Sequence, residues 1–566
     1  MLLEMRKSMP WWALLIILAG IILQGTYASS LNRLYYSRFA PFFDSMAYTN
    51  QLAETLIEAK RHGAMAGFKV ASDSRTVTLP WLVAAILAPV VPVSRLVGVW
   101  MQEVWMALLA FSVLAYWRLY RGVSLPLALL WTVPPVSFAA VYRHNGGISD
   151  FRMDLSLYIF FSISAVWYLA SRESTARLPW ILSGAGILLC CLNRATAPAY
   201  LGVALGPVLV ARWFAEPDRR RWLVGRVAAY WLPAAAAGVL PTVLNWRFVH
   251  YYYFVWGADP NAGLSLSQSS EHFKLAGFSM GFYLAAACGV LVVTWLVQNR
   301  RRLIPPSGAN PAVRPVLDWA TVWIACAPAL LLTVKGAGLN PFVSMPSVFC
   351  ALLFCMAPFR ERPAPGLPVW GATVLAVLAC MFQARQGYLD HTDGFGGARP
   401  TMAPLKRGIE LIESDSKRRG KTKVQFLTAH LGDYQASGLR NVLFFEFGAV
   451  PVEGGLQLPD GVWLGAFQED RFSPAVPVSW NRLPGADDAA KIRGLVAIAA
   501  AEVDYFFLPD DRTIGWLEQH RSFNFINLKM RDLKRELFAT NGWRQVGEPL
   551  QITNDEIVEL FANERR

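Results

Sequence analysis

The stretch WWALLIILAGIILQGTYASSLNRLYYSRFAPFFDSMAY, residues 11–48, sets the terms for the whole chain. It opens with an apolar run, 11–27, that is long enough to cross a bilayer as a helix. It then becomes amphipathic and places one carboxylate, Asp44, among Phe42, Phe43, Met46 and Tyr48. Arg6 and Lys7 precede the run, and Ala28 and Ser29 follow it, an arrangement that also resembles a secretory signal. We read it as a retained span because it leads into the loop that carries Asp44.

The remainder of the 566 residues has the same character. Hydrophobic residues make up 54% of the chain and charged residues 16%, against roughly 25% in an ordinary soluble domain. That balance excludes a soluble enzyme, a coiled coil and a disordered chain. Continuous rather than alternating apolar runs argue against a β-barrel. Further runs lie at 98–117, 123–141, 155–170, 178–194, 196–213, 223–245, 279–298, 317–334, 342–358 and 367–383. Another, 79–93, is short and carries Pro80, Pro89 and Pro92, so it reads as a juxtamembrane or re-entrant piece.

A net charge of +13 invites a nucleic-acid partner, but the cations sit between apolar runs, where orientation in a membrane requires them. With the N-terminus cytoplasmic, the inner loops collect Arg118 and Arg121, Arg172 and Arg177, Arg212 with Arg219 to Arg221 and Arg226, Arg300 to Arg302, and Arg360 with Arg362. Eleven spans follow, and an odd count puts the C-terminal region on the outer face. The seven cysteines all lie in or beside apolar segments and read as small hydrophobes.

The expected organisation is a membrane module over 1–383 (with a first outer loop, 28–97), a linker over 384–420 and a soluble α/β domain over 421–566. Strand-like runs in the last part are 424–429, 442–449, 462–467 and 503–509, and helix-like runs are 487–501 and 525–539. No GxxxxGKS loop, GxGxxG or HExxH is present.

Three outer loops hold the candidate chemistry. Apolar neighbours raise a carboxyl's pKa toward a useful range, which makes Asp44 a candidate general base. As a member of an interfacial helix's polar face it would simply be solvated. Asp150 and Asp154 bracket Arg152 at the entry to the run at 155, and i, i+4 spacing would put both on one helix face. A helix N-cap is the structural alternative for either. Arg194, in LNRATAP, runs against the charge trend and needs a partner, either a carboxylate such as Asp154 or a phosphate. Arg247, His250, Lys274 and Lys335 are weaker candidates that equally suit interfacial snorkelling. The spacing does not require a metal, although a divalent ion is compatible with the acidic loops.

One reaction uses such a set. In a lipid-phosphate-linked sugar the leaving group is already an anion, so it needs a cation rather than a general acid, and the acceptor hydroxyl needs a base.

The order of features resembles the GT-C superfamily of polyprenyl-phosphate-sugar glycosyltransferases, in particular the branch of protein O-mannosyltransferases and aminoarabinose transferases. That order is a first span, an early loop Asp (Asp44 in FFDSMAY), a Pro-led piece LPWLVAAILAPVV, a turn SRLVG with Arg95 and a span ending in YWRLYRG. A second acidic loop, ISDFRMD, and an outer domain complete it. Ser45 stands where the family often has Glu, and the second loop carries two Asp rather than one.

The resemblance implies a polytopic α-helical membrane protein of the GT-C type in a bacterial inner membrane, with its C-terminal α/β domain periplasmic. It implies a polyprenyl-phosphate sugar donor, a lipid, glycan or protein acceptor, and no required cofactor. Asp44 would be the base, with Asp150 or Asp154 organising a substrate. Arg194, Arg247 and Lys335 would meet the donor phosphate, and Tyr48, Arg152 and His250 would line the site. A transporter or flippase, and a non-catalytic polysaccharide-assembly protein, are the competing classes. The first should show repeated halves, and none is visible.

Overall fold

The computed structural model describes residues 10–40, 44–72, 79–144, 146–151, 153–250, 279–303, 319–335, 367–393, 401–428, 436–452, 455–465, 487–519, 530–540, 542–553 and 556–566, with isolated positions between 271 and 352. These form two units. Unit one comprises residues up to Asn32, Ala71–Val83 and Leu96–His391, and unit two comprises Arg33–Val70, Ala84–Arg95 and Thr392–Arg566. Helices labelled below are α1 (Trp11–Tyr36), α2 (Asp44–His62), α3 (Arg95–Ala115), α4 (Met153–Glu173), α5 (Leu178–Asn193), α6 (Ala197–Ala215), α7 (Leu367–Asp393), α8 (Met402–Arg418) and α9 (Ala436–Phe445).

Unit one is helical. By length and composition five of its described helical stretches are long and apolar enough to cross a membrane: α1, Arg95–Tyr120, α4, α6 and Pro217–Leu244. Leu125–Val136, α5, Phe282–Val293 and Ala320–Leu332 are shorter apolar pieces. The expected run at 342–358 lies almost wholly outside the described residues.

Two expected runs take more specific forms. Residues 123–141, expected as one span, are broken into Leu125–Leu130, Val133–Val136 and Ala139–Tyr142. Pro134 and Pro135 remove consecutive N–H donors and interrupt the ladder there. The Pro-led piece forms a helix of nine residues, Leu79–Leu87. At 1.5 Å per residue it rises roughly 13 Å, well short of a bilayer core.

Helix α4 is the hub of unit one, with every residue from Met153 to Ser171 buried. Its closest partner is α5, and small residues allow the approach. Ser183 Oγ donates to the Ser164 carbonyl at 3.0 Å. A Cβ on Gly186 would stand 2.8 Å from the Ser164 backbone nitrogen. By contrast α1 turns Trp11, Leu15, Ile16 and Leu23 outward. Exposed apolar residues of this kind suit contact with lipid.

Unit two is α/β. One described sheet has the order β1-β5-β4-β3, from Lys423–Val424, Trp463–Gly465, Gly455–Gln457 and Val450–Val452. The other has the order β2-β6-β9-β7, from Phe426–Thr428, Tyr505–Pro509, Ile557–Asn563 and Trp543–Gln545, with β8 (Leu550–Gln551) also on β9. The pairs β1–β5 and β2–β6 are parallel and the others antiparallel.

The run 442–449, expected as a strand, is instead the end of helix α9 and the turn after it. Leu439, Val442 and Leu443 are all fully buried, and their i, i+3, i+4 spacing is that of a helix face. Helix α8 buries Met402, Leu405, Ile409 and Ile412 in the same core as Tyr35 and Tyr36 at the end of α1 and Phe39 just after it.

Polar groups lock this core. The Arg95 guanidinium is buried and bonds Asn441 Oδ1 at 2.9 Å and Glu446 at 2.9 Å. It also stacks over the Tyr36 and Phe445 rings at 4.4 and 4.5 Å. Asn441 in turn donates to Thr49 Oγ1 at 2.6 Å and Asn50 Oδ1 at 3.0 Å, which holds the first turns of α2. Elsewhere in the unit, burial works against ionisation of the Asp415 carboxyl. Bonds from Tyr505 (2.9 Å), Arg544 (3.0 Å) and Arg418 outweigh that burial and hold the carboxyl below its usual range.

Two predictions follow from this packing. Gly186→Val should destabilise the helical unit by about 1–3 kcal/mol, the cost of forcing a group into a filled contact, read as a lower unfolding temperature in detergent. Asp415→Asn should lower the stability of unit two at neutral pH. Because the native pKa is depressed, the wild-type advantage is present above the ordinary value of 3.8 and is lost as pH falls through the lower native value. Unfolding midpoints of the two proteins should therefore converge on acidification, and a constant gap down to pH 2 would refute the assignment.

Candidate active site

The second acidic loop is built by backbone constraint. Gly147 sits where a Cβ would lie 2.2 Å from the Arg143 carbonyl, so the chain can fold back only with glycine there. The Ile148 N–H then reaches the Val141 carbonyl at 2.8 Å, and Asp150 Oδ2 accepts from the Gly146 N–H at 2.7 Å. Phe151 follows with φ of 53°, an unusual value for a bulky residue. Its buried ring packs edge-on to Trp81, with centroids 5.6 Å apart. Helix α4 begins only at Met153. Asp150 and Asp154 therefore do not share a helix face, and the i, i+4 expectation fails because the left-handed Phe151 interrupts the helical path.

Asp154 lies in the first turn of α4, where the helix dipole favours a carboxylate. It pairs with Arg194, which follows α5 in extended conformation. Asn193 clamps the two helix ends together. Its Nδ2 donates to the Met153 carbonyl at 3.2 Å, and its Oδ1 accepts from Ser156 at 2.9 Å. Side-chain exposure is 7% for Asp154 and 19% for Arg194, so the pair is largely withdrawn from water.

A second polar cluster joins this loop to the end of α7. His391 Nδ1 lies 2.6 Å from the Gly387 carbonyl, which can only accept, so this nitrogen carries the proton. In the neutral ring Nε2 then accepts from Ser149 Oγ at 2.6 Å. The Ser149 carbonyl accepts from Asn32 at 2.7 Å, and Asp390 accepts from the His144 N–H at 2.6 Å. The rings of His144 and His391 meet edge to face at 5.7 Å. These residues were not among the sequence candidates. The fragment YLDHTD falls after an apolar run and reads as the start of a linker until the helix is seen to continue through it.

The other candidates are placed as follows. Asp44 is the first residue of α2, in unit two, and its side chain lies outside the described residues. Tyr48 is half-buried one turn on. Arg152 lies outside the described residues. Arg247 and His250 are exposed on the short helix Trp246–His250. Lys274 pairs with Glu271. Lys335 ends the helix Trp319–Lys335, and its side chain is outside the described residues. Among the described residues no cluster of His, Cys, Asp and Glu is arranged to hold a metal.

Unit one also contains a cavity of about 700 Å³. Ile16, Ile17, Gly20 and Ile21 of α1 line one side, Leu129, Leu130, Val133 and Val136 of the broken run another, and Met381 and Ala384 of α7 a third. Most of its wall is hydrocarbon, which suits an apolar chain better than a soluble metabolite.

An apolar helical unit with five described helices long and apolar enough to cross a membrane, an acidic loop closed against an arginine, and a separate α/β unit make up this fold. Among solved structures the chain is similar to ArnT from Cupriavidus metallidurans in its apo state. The TM-score is 0.53 at 12% identity, over 96% of this chain and 98% of that one. It also aligns with the arabinofuranosyltransferase AftD from mycobacteria at a TM-score of 0.41 and 14% identity, over 95% of this chain and 39% of that one. The first likeness establishes the fold, and the second adds nothing to it. No family model matches the sequence, and no curated protein sequence matches it.

The Asp154–Arg194 pair can be tested by a mutant cycle. Removing one partner leaves an uncompensated buried charge, so Asp154→Asn or Arg194→Gln alone should each cost on the order of 3 kcal/mol. The double variant should cost clearly less than the sum. Additive losses in thermal unfolding would show that the pair does not act as a unit.

Proposed function

We propose that this protein is an integral-membrane glycosyltransferase that moves a sugar from a polyprenyl-phosphate donor to an acceptor hydroxyl at the outer face of a bacterial inner membrane. The apolar cavity of unit one carries this reading. A donor carried on a soluble nucleotide needs no such cavity, whereas one carried on a lipid needs a place for its chain. Fold alone would not suffice, since one fold hosts many activities.

The chemistry is a single displacement. The acceptor oxygen bonds to the anomeric carbon as the bond from that carbon to the phosphate oxygen breaks. The electron pair leaves with the lipid phosphate, and the acceptor proton passes to a carboxylate. In this proposal Asp44 takes the proton. Asp154 orients Arg194, whose guanidinium has five donors and can meet a phosphate as well as a carboxylate. Asp150, held by the Gly146 N–H, shapes the loop around the substrate. Arg247 and Lys335 are reserve phosphate ligands, and Tyr48, Arg152 and His250 are lining residues. The division into a membrane module, a connector and a periplasmic α/β domain belongs to the same proposal, as does the eleven-span topology.

Asp44→Asn should reduce transfer by about 10²–10⁴-fold, the usual contribution of a general base. Binding of the sugar-loaded lipid should be retained. The readout is release of polyprenyl phosphate from a polyprenyl-phosphate sugar, with native mass spectrometry following the loaded lipid. Full turnover in the variant would remove Asp44 from the mechanism.

A further inference from the structure

Residues 212–226 of unit one gather five arginines, Arg212, Arg219, Arg220, Arg221 and Arg226, beside a set of aromatic rings. Arg212 is the buried member. Its guanidinium lies 5.8 Å from the ring centres of both Trp180 and Trp222, and its Nε donates to Glu216 at 3.0 Å. Its Nη1 is buried and has no hydrogen-bond partner among the described residues. Arg220 stacks over Trp213 at 4.4 Å and donates from Nε to the Trp213 carbonyl at 3.0 Å. Arg226 lies over Trp222 and Tyr230 at 5.4 and 5.9 Å. The chain then makes one π turn, Val227–Trp231, and the buried Trp231 ring closes on Trp180 at 5.6 Å. Stacking fixes each guanidinium plane against a ring but leaves N–H edges free to bond an anion.

The charge of this segment is not balanced. Its carboxylates are Glu216 and Asp218, two against five arginines. Glu216 already holds Arg212 and lies 4.0 Å from Arg219. Arg219 and Arg221 are exposed. Apolar side chains are exposed beside them: Phe214 at the end of α6, and Val224 and Leu232 within Pro217–Leu244, a stretch long and apolar enough to cross a membrane. Cations set among exposed hydrocarbon match an amphiphile, negative in its head and apolar in its tails. A nucleic acid or free phosphate would meet the cations and leave the hydrocarbon in water. Arginine clusters next to a membrane-crossing helix attract anionic lipid head groups in this way.

We infer that residues 212–226 form a binding site for an anionic phospholipid, with the head-group phosphate among Arg219, Arg220 and Arg221 and the acyl chains along Phe214 and Val224. Arg212 and Arg226, stacked on their rings, hold the segment in place. The site takes a lipid of the bilayer rather than a substrate, and it does not depend on the donor reading above.

The test is native mass spectrometry of the full-length protein in detergent, titrated with phosphatidylglycerol or with phosphatidylethanolamine of the same acyl chains. The wild type should bind phosphatidylglycerol more tightly by at least about fivefold, the effect of one well-placed cation. Arg219→Gln/Arg221→Gln removes two exposed charges and should bring phosphatidylglycerol down to the level of phosphatidylethanolamine. Arg219→Lys/Arg221→Lys should keep most of the preference. Arg407→Gln/Arg535→Gln lowers the net charge equally, but in unit two, and should bind as wild type. Equal binding of the two lipids by the wild type would overturn the inference, and so would the same loss in the unit-two variant. Full competition by equimolar inorganic phosphate would also overturn it, because the acyl chains would then contribute nothing. Undecaprenyl phosphate should bind Arg219→Gln/Arg221→Gln as it binds the wild type; a parallel loss would assign these arginines to the donor instead.

Discussion

A charge buried among apolar helices must be matched within the chain, and the arrangement of unit one turns on how Asp154 and Arg194 do this. Their ion pair joins the start of the fully buried α4 to the end of α5. Asn193 bonds both the Met153 carbonyl and Ser156, so the junction is held by neutral as well as charged contacts. The loop from Gly146 to Phe151 then has little freedom left. It must close from Tyr142 to the head of a helix that is already fixed, and the positive φ of Phe151 is the local result. Strain of this kind persists only where the surroundings over-determine it.

The same principle organises unit two around Arg95. Its guanidinium meets Asn441, Glu446 and two aromatic faces, and Asn441 passes the constraint on to Thr49 and Asn50. The helix that opens with Asp44 is therefore positioned by residues from the far end of the chain. This accounts for why Arg33–Val70 and Ala84–Arg95 make up one unit with the C-terminal residues. In the proposed mechanism the turn that carries the base is therefore one that unit two holds in place.

The two helical surfaces of unit one serve different ends. Where helices meet each other, small residues such as Gly186 and Ser183 bring backbones together, since burial of apolar area gives little advantage inside lipid. Where α1 and α7 meet the broken run at 125–142, the prolines prevent a continuous helix and a cavity results. Packing defects and interrupted helices are costly in a soluble core. Here they leave an apolar cavity whose lining also includes Gln24, Tyr27 and Arg385.

Hydropathy made the membrane class and most apolar runs legible, because the hydrocarbon core imposes a length and a polarity on each crossing segment. The order of Asp44, the Pro-led piece and the second acidic loop resembled that of the GT-C superfamily, and Arg194 stood out because its charge had no local reason to be there. Other features were hidden. VLFFEFGA has the composition of a strand, but its burial follows a helix, and short apolar runs do not separate the two. The spacing of Asp150 and Asp154 suggested one helix face, yet the backbone at Phe151 turns them apart. The cavity, the Asn193 clamp and the His391–Ser149 contact join residues from distant parts of the chain. The sequence alone determined which segments must leave water and which charges would need partners, since those are properties of single segments. Which partners they found was decided only by the tertiary structure, because matching a buried charge depends on distances between helices that no local pattern encodes.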